Sequence, residues 1–133
     1  MAADSLKGKS ILIVAEPNQM VDGICSRLRT LGVAIEYISS GFQAVSIIEK
    51  AAVIKSLEFN LIILFENCED MPQREILNLI RLSSTAKVLP IICFSKEANV
   101  DEIKVMIQEG ANGFLVDYDN FNKVLDKVNS VIK

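Results

Sequence analysis

Histidine and tryptophan are both missing from this chain of 133 residues. Without an imidazole there is no Ser/His or Cys/His nucleophilic triad and no histidine-ligated metal site. Without an indole there is no tryptophan to stack on a flavin. Cysteine is scarce. Cys25, Cys68 and Cys93 are an odd, scattered set without metal-ligand spacing, which reads as reduced thiols. Lysine and arginine form no cluster, and a formal charge of −3 with a pI near 5.0 gives no electrostatic basis for binding nucleic acid or an anionic membrane. Apolar runs stop at strand length, short of the ~18 residues that a bilayer span needs. Residues 1–9 are polar and carry no apolar signal-peptide core. The expected location is therefore the cytoplasm, and the expected cofactor set is none.

Half of the residues are apolar and the mean hydropathy is +0.33, which suits a sheet covered on both faces. The length fits one domain, read here as a short tail over 1–9 followed by a folded unit over 10–133. Short β-branched runs at 10–14, 33–39, 61–65, 88–94 and 113–116 read as strands. Between and after them, helical spacing predicts helices over 18–31, 41–54, a segment opened by Pro72, 99–109 and 119–132. Val45, Ile48 and Ala52 mark one buried face, Ile103, Met106 and Ile107 another, and Gly32 and Gly110 sit where helices end. Strict strand–helix alternation implies a parallel sheet with helices on both sides. The flavodoxin-like order 2-1-3-4-5, a three-layer α/β sandwich, is the natural fit for five strands.

In that topology function sits at the carboxyl ends of the strands, so the loops beginning at Ala15, Phe65, Ser95 and Asp117 carry the information. Read in order, they resemble the CheY-like receiver domain of bacterial two-component response regulators. The spacings Glu16 to Gly32, Phe65 to Met71, and Gly110 through Phe114 to Asp117 fall in step with it, whereas 41–60 is several residues longer. The resemblance implies an aspartate acceptor at the end of the third strand, two acidic residues that hold Mg²⁺, and a lysine that pairs with the phosphoryl oxygens. Here the acceptor position is Phe65, the acidic pair is Ala15 and Glu16, and the lysine position is Asp117, followed by Tyr118. A phenyl ring has no lone pair to attack phosphorus and no charge to hold a metal. One carboxylate does not make the oxygen octahedron that Mg²⁺ requires. By the same resemblance Ser95 and Phe114 occupy the hydroxyl and aromatic positions that couple the site to the face of the fourth helix, fifth strand and fifth helix.

The reading is a degenerate pseudo-receiver: a non-enzymatic, phosphorylation-independent signalling module acting through protein contacts, as a monomer or weak homodimer. Lys104, Tyr118, Asn122 and Lys123 are the expected interface residues. Lys96 is either a pocket charge paired with Glu16 or Asp117, or a solvated loop lysine. Cys68 is either an exposed redox sensor or an inert thiol. Ser95, without an identifiable general base, reads as a loop hydrogen-bonding residue. Two alternatives stand beside this reading. One is an atypical receiver phosphorylated on Glu66 or Asp70. The other is a small flavodoxin-like ligand binder, against which the first loop, 15–20, offers no Gly/Ser/Thr-rich phosphate cradle.

Overall fold

The computed structural model describes residues 6–54, 58–66, 68–83 and 89–132, without the side chains of 52–54. Five strands, β1 (Ser10–Val14), β2 (Ala34–Ile38), β3 (Leu61–Phe65), β4 (Ile91–Phe94) and β5 (Gly113–Leu115), form one sheet in the order β2-β1-β3-β4-β5. Every pairing is parallel. The crossovers are α1 (Gln19–Thr30), α2 (Gly41–Ile54), α3 (Gln73–Leu82) and α4 (Val100–Gln108), and α5 (Phe121–Val131) follows β5. The expected architecture is therefore the one found.

Alternation along the inner strands sorts the core into two layers. Leu12, Val14, Ile62, Leu64, Ile91 and Cys93 face α2, α3 and α4. Ile11, Ile13, Ile63, Phe65, Ile92 and Phe94 face α1 and α5. Because both faces are covered, β3 and β4 read as unbroken apolar runs. The edge strand β2 is only partly buried, and its sequence accordingly mixes Glu36 with Ile35 and Ile38.

Helix ends follow local chemistry. Asn18, Asn99 and Asn120 each cap a helix by accepting from backbone N–H groups of its first turn. Gly32 and Gly110 follow α1 and α4 at φ 89° and 118°, a region that a side chain disfavours. Pro72 is the N-cap of α3 rather than a first-turn residue, one position earlier than expected, and its carbonyl accepts from Ile76. β4 begins at Ile91. Pro90 offers only its carbonyl, which accepts from Ile62 N–H at 2.9 Å. Val88, the Ala52 side chain and residues 55–57 of the longer stretch 41–60 lie outside the described residues.

Two expectations need correction. Residues 6–9 are not a loose tail. Leu6 is fully buried in the α1/α5 layer, and Gly8 N–H donates to the Gly32 carbonyl at 2.9 Å. Apolar burial outweighs the polar character of the flanking residues. On α4, Met106 points inward, but Ile107 is 44% exposed and Val100 65%. A helix of nine residues packed at the edge of a sheet has a narrower buried stripe than its apolar content suggests.

Candidate functional site

The carboxyl ends of β1, β3, β4 and β5 converge as the topology requires, and they enclose rings rather than charges. Phe65, the last residue of β3, is 1% exposed. It packs edge-on to Phe94, the last residue of β4, with centroids 5.0 Å apart, and to Tyr118 at 5.1 Å. Tyr118 in turn stacks on Phe94 at 5.8 Å. Three mutually touching rings contribute about 0.5–1.5 kcal/mol per pair beyond their area burial. Tyr118 is 2% exposed, so it is not a surface contact. With no charged side chain at position 65, a ring from the loop after β5 closes over the apolar floor.

Tyr118 keeps its hydroxyl satisfied by donating to Glu66 Oε1 at 2.6 Å. The other Glu66 oxygen accepts the Lys96 N–H. Strand alternation places Glu66 opposite Phe65, but β3 ends at Phe65 and the chain bends, which swings the carboxylate back over the rings. Burial, and then the bonded Glu66 carboxylate, push the Tyr118 phenol well above its ordinary value.

The residues expected around the acceptor position are otherwise engaged. Glu16 Oε1 accepts from Glu69 N–H at 3.0 Å. Asp117 is exposed and pairs with Lys123 at 3.0 Å rather than with Lys96. A hydrogen bond with Asp119, reinforced by Lys123, holds Asp117 below the usual carboxylate range, and the same contact raises Asp119. Lys96 lines a cavity of about 230 Å³ with Met20, Val116, Asp117, Tyr118 and Asp119, but makes no ion pair among the described residues. Asp70 caps α2 from a distance. It accepts from the Ser40 hydroxyl at 2.6 Å and from the Gly41 and Phe42 N–H groups at 2.9 and 3.2 Å. The Ser40 bond and the helix N–H groups lower its pKa.

Mg²⁺ does not fit this donor set. The side chains of Ala15 and Phe65 supply no oxygen, Glu16 Oε1 already accepts a backbone N–H, and no group of three metal-binding side chains occurs among the described residues.

Ser95 is buried at 6% exposure. Its N–H donates to the Leu115 carbonyl at 3.0 Å and its hydroxyl lies 3.4 Å from Gln73 Oε1. Gln73 gives its amide to the Leu64 and Phe94 carbonyls at 2.8 and 3.2 Å, tying the ends of β3 and β4 together from the start of α3. Phe114 is half-buried against the α2/α3/α4 layer. Lys104, Asn122 and Lys123 are exposed.

Cys68 is buried, not exposed as its polar neighbours suggested. Burial first, then the Asp70 and Glu16 charges, raise its thiol to about 11. Burial raises Cys25 to about 11 and Cys93 to about 12. A thiol whose folded pKa exceeds its unfolded value binds its proton longer in the folded state. Stability is then complete below about pH 8.5 and falls as pH rises toward 11 and beyond. Loss of order 1–3 kcal/mol per thiol is expected across that window. At pH 8 the native protein should leave all three cysteines unlabelled by a thiol reagent, and urea should release all three. Rapid native labelling of Cys68 would contradict this.

Sequence reasoning did not single out Gln73 or the inward turn of Tyr118. Gln73 carries no signal in a helix's first turn. Tyr118 had one: an aromatic residue three positions past the last strand, in a loop at the same end of the sheet as the Phe65 ring.

No protein-family model matches the sequence, and no curated protein matches it. Solved structures do resemble it. The chemotaxis protein CheY4 of Vibrio cholerae superposes with a TM-score of 0.79 at 24% identity, over 92% of this chain and 98% of that one. The CheY-like receiver domain protein of Methanospirillum hungatei gives 0.77 at 20% identity, over 92% and 91%. The receiver domain of the histidine kinase CKI1 from Arabidopsis thaliana, complexed with Mg²⁺ and BeF₃⁻, gives 0.76 at 22% identity, over 95% of each chain. The fold is that of receiver domains.

Proposed function

We propose that this chain is a pseudo-receiver: a signalling module of the two-component type that works without phosphorylation, by presenting one fixed surface to a protein partner. The observation that carries this reading is the Phe65 ring, buried against Phe94 and Tyr118 at the position where phosphotransfer needs an oxyanion. The commitment of Glu16 to Glu69 and the Asp117–Lys123 pair support it. Both alternative acceptors are occupied. Asp70 holds the start of α2, and both oxygens of Glu66 accept hydrogen bonds.

The partner surface in this reading is the face of α4, β5 and α5. Lys104, Asn122 and Lys123 are exposed on its helices, and the exposed side chains of Val100 and Ile107 add apolar area. A net charge of −3 favours a protein over nucleic acid or membrane as partner. The module is read as non-enzymatic, cytoplasmic, and a monomer or weak homodimer.

Incubation with acetyl phosphate and Mg²⁺, followed by intact mass measurement, tests the reading. The expected spectrum is unchanged, and beryllofluoride with Mg²⁺ is expected to leave the amide NMR spectrum unchanged. A stoichiometric phosphoryl mass gain, lost in Glu66→Gln or Asp70→Asn, would establish the atypical-receiver alternative instead.

A further inference from the structure

One side chain joins the ends of three strands. Glu66 sits one residue past β3, and its carboxylate accepts from the first N–H of the loop after Ser95 and from the Tyr118 hydroxyl in the loop after β5, at 2.6 Å. Both bonds end on an ionised acceptor, the stronger class of hydrogen bond. The tyrosine has little choice of partner. Its side chain is enclosed by Phe65 and Phe94, and Glu66 is the acceptor its hydroxyl has there.

We propose that Glu66 is the resident anion of a conformational clasp that holds the loops after β3, β4 and β5 in one arrangement. Tyr118 is its moving part. The ring gains by covering Phe65, but only while the hydroxyl finds an acceptor, because a buried phenol with an unmade hydrogen bond is penalised. Remove the carboxylate and the hydroxyl is better satisfied in water. The ring then swings outward, carries the segment 116–120 with it, and uncovers Phe65. Lys123, whose ammonium is tied to Asp117 in that segment, moves with it. The clasp thus sets the shape of the start of α5 from a charge located at the end of β3. It rests on these hydrogen bonds and ring contacts, and stands whether or not the chain accepts a phosphoryl group.

Labelling the full chain with 3-fluorotyrosine gives two fluorine NMR resonances, from Tyr37 and Tyr118. In the native chain the Tyr118 resonance is expected to show no shift between H₂O and D₂O. Glu66→Ala is expected to move it to an exposed position with a full solvent isotope shift, leaving Tyr37 in place. The milder variant Glu66→Gln, which keeps the shape and an acceptor but loses the charge, is expected to give both Tyr118 resonances. Lys96 amide exchange should be at least tenfold faster in both variants, while amides of β1 and β3 keep their native rates. A buried Tyr118 signal in Glu66→Ala would overturn the proposal. So would simultaneous exposure of Tyr37, or acceleration shared equally by β1 and β3, since either would mean general loosening in place of a local clasp.

Discussion

Replacing Phe65 with aspartate is expected to lower the unfolding free energy by about 4–5 kcal/mol, and not to create a phosphorylation site. Truncating a fully buried phenylalanine costs about 3–5 kcal/mol through lost transfer energy and the cavity left behind. Here the ring is 1% exposed and touches two other rings, so the site has little freedom to collapse. A carboxylate set in that space must also be desolvated or protonated, next to Glu66 in sequence and with no lysine at position 117 to offset it. Against a typical domain stability of about 5–15 kcal/mol, this brings the chain close to unfolding at room temperature. Urea denaturation measures it, with Phe65→Leu as the apolar control, expected to lose only about 1–2 kcal/mol. A Phe65→Asp variant as stable as the native chain would mean that the pocket is already hydrated and that the aromatic plug is not what holds it shut.

The second large effect lies at the opposite end of the sheet. Arg81→Ala is expected to cost about 3 kcal/mol. The Arg81 guanidinium donates to the Gly110 carbonyl through Nε and Nη2 at 3.0 and 2.7 Å, to the Leu89 carbonyl at 2.7 Å and to Asn112 Oδ1 at 2.8 Å. Asn112 passes the connection on by accepting from Ile91 N–H at 2.9 Å, at the first residue of β4. One half-buried cation therefore joins the end of α3 to the segments that enter β4 and β5. Burial lowers its pKa, yet arginine stays charged. Deleting it strips partners from at least three acceptors, each worth about 1 kcal/mol. Arg81→Lys should recover less than half of the loss, because an ammonium cannot reproduce the planar fork. Thermal melting of the two variants beside the native chain checks the order. Equal stability of Arg81→Ala and the native chain would show these bonds to be exchanged freely with water.

The two ends of the sheet differ in how far sequence reading reaches them. Strand order, the two-layer core and the glycines that end α1 and α4 were legible, because each is written in local residue type. Ile11 to Val14 alternate between layers, and Gly32 and Gly110 follow α1 and α4. That position 65 holds a ring and no carboxylate was equally legible, since it needs only the identity of one residue. That Tyr118 covers this ring was not. Tyr118 and Phe65 are far apart in sequence, and their contact depends on a loop direction that no periodicity encodes. Glu66 misleads for a related reason. Alternation holds only while a strand lasts, and β3 stops one residue before it. Arg81 is the plainest case. Nothing local marks it in the last turn of α3, and its partners come from loops up to thirty-one residues away.

The plug also provides its own optical reporter. With no indole in the chain, near-ultraviolet dichroism arises from phenyl and phenol chromophores, and three of these sit in one chiral, rigid contact. A phenol bonded to a carboxylate is also a quenched emitter. Opening the cluster should therefore flatten the dichroic band and brighten the fluorescence while the far-ultraviolet helix signal holds steady, so that movement of the loop carrying Tyr118 can be followed without a dye.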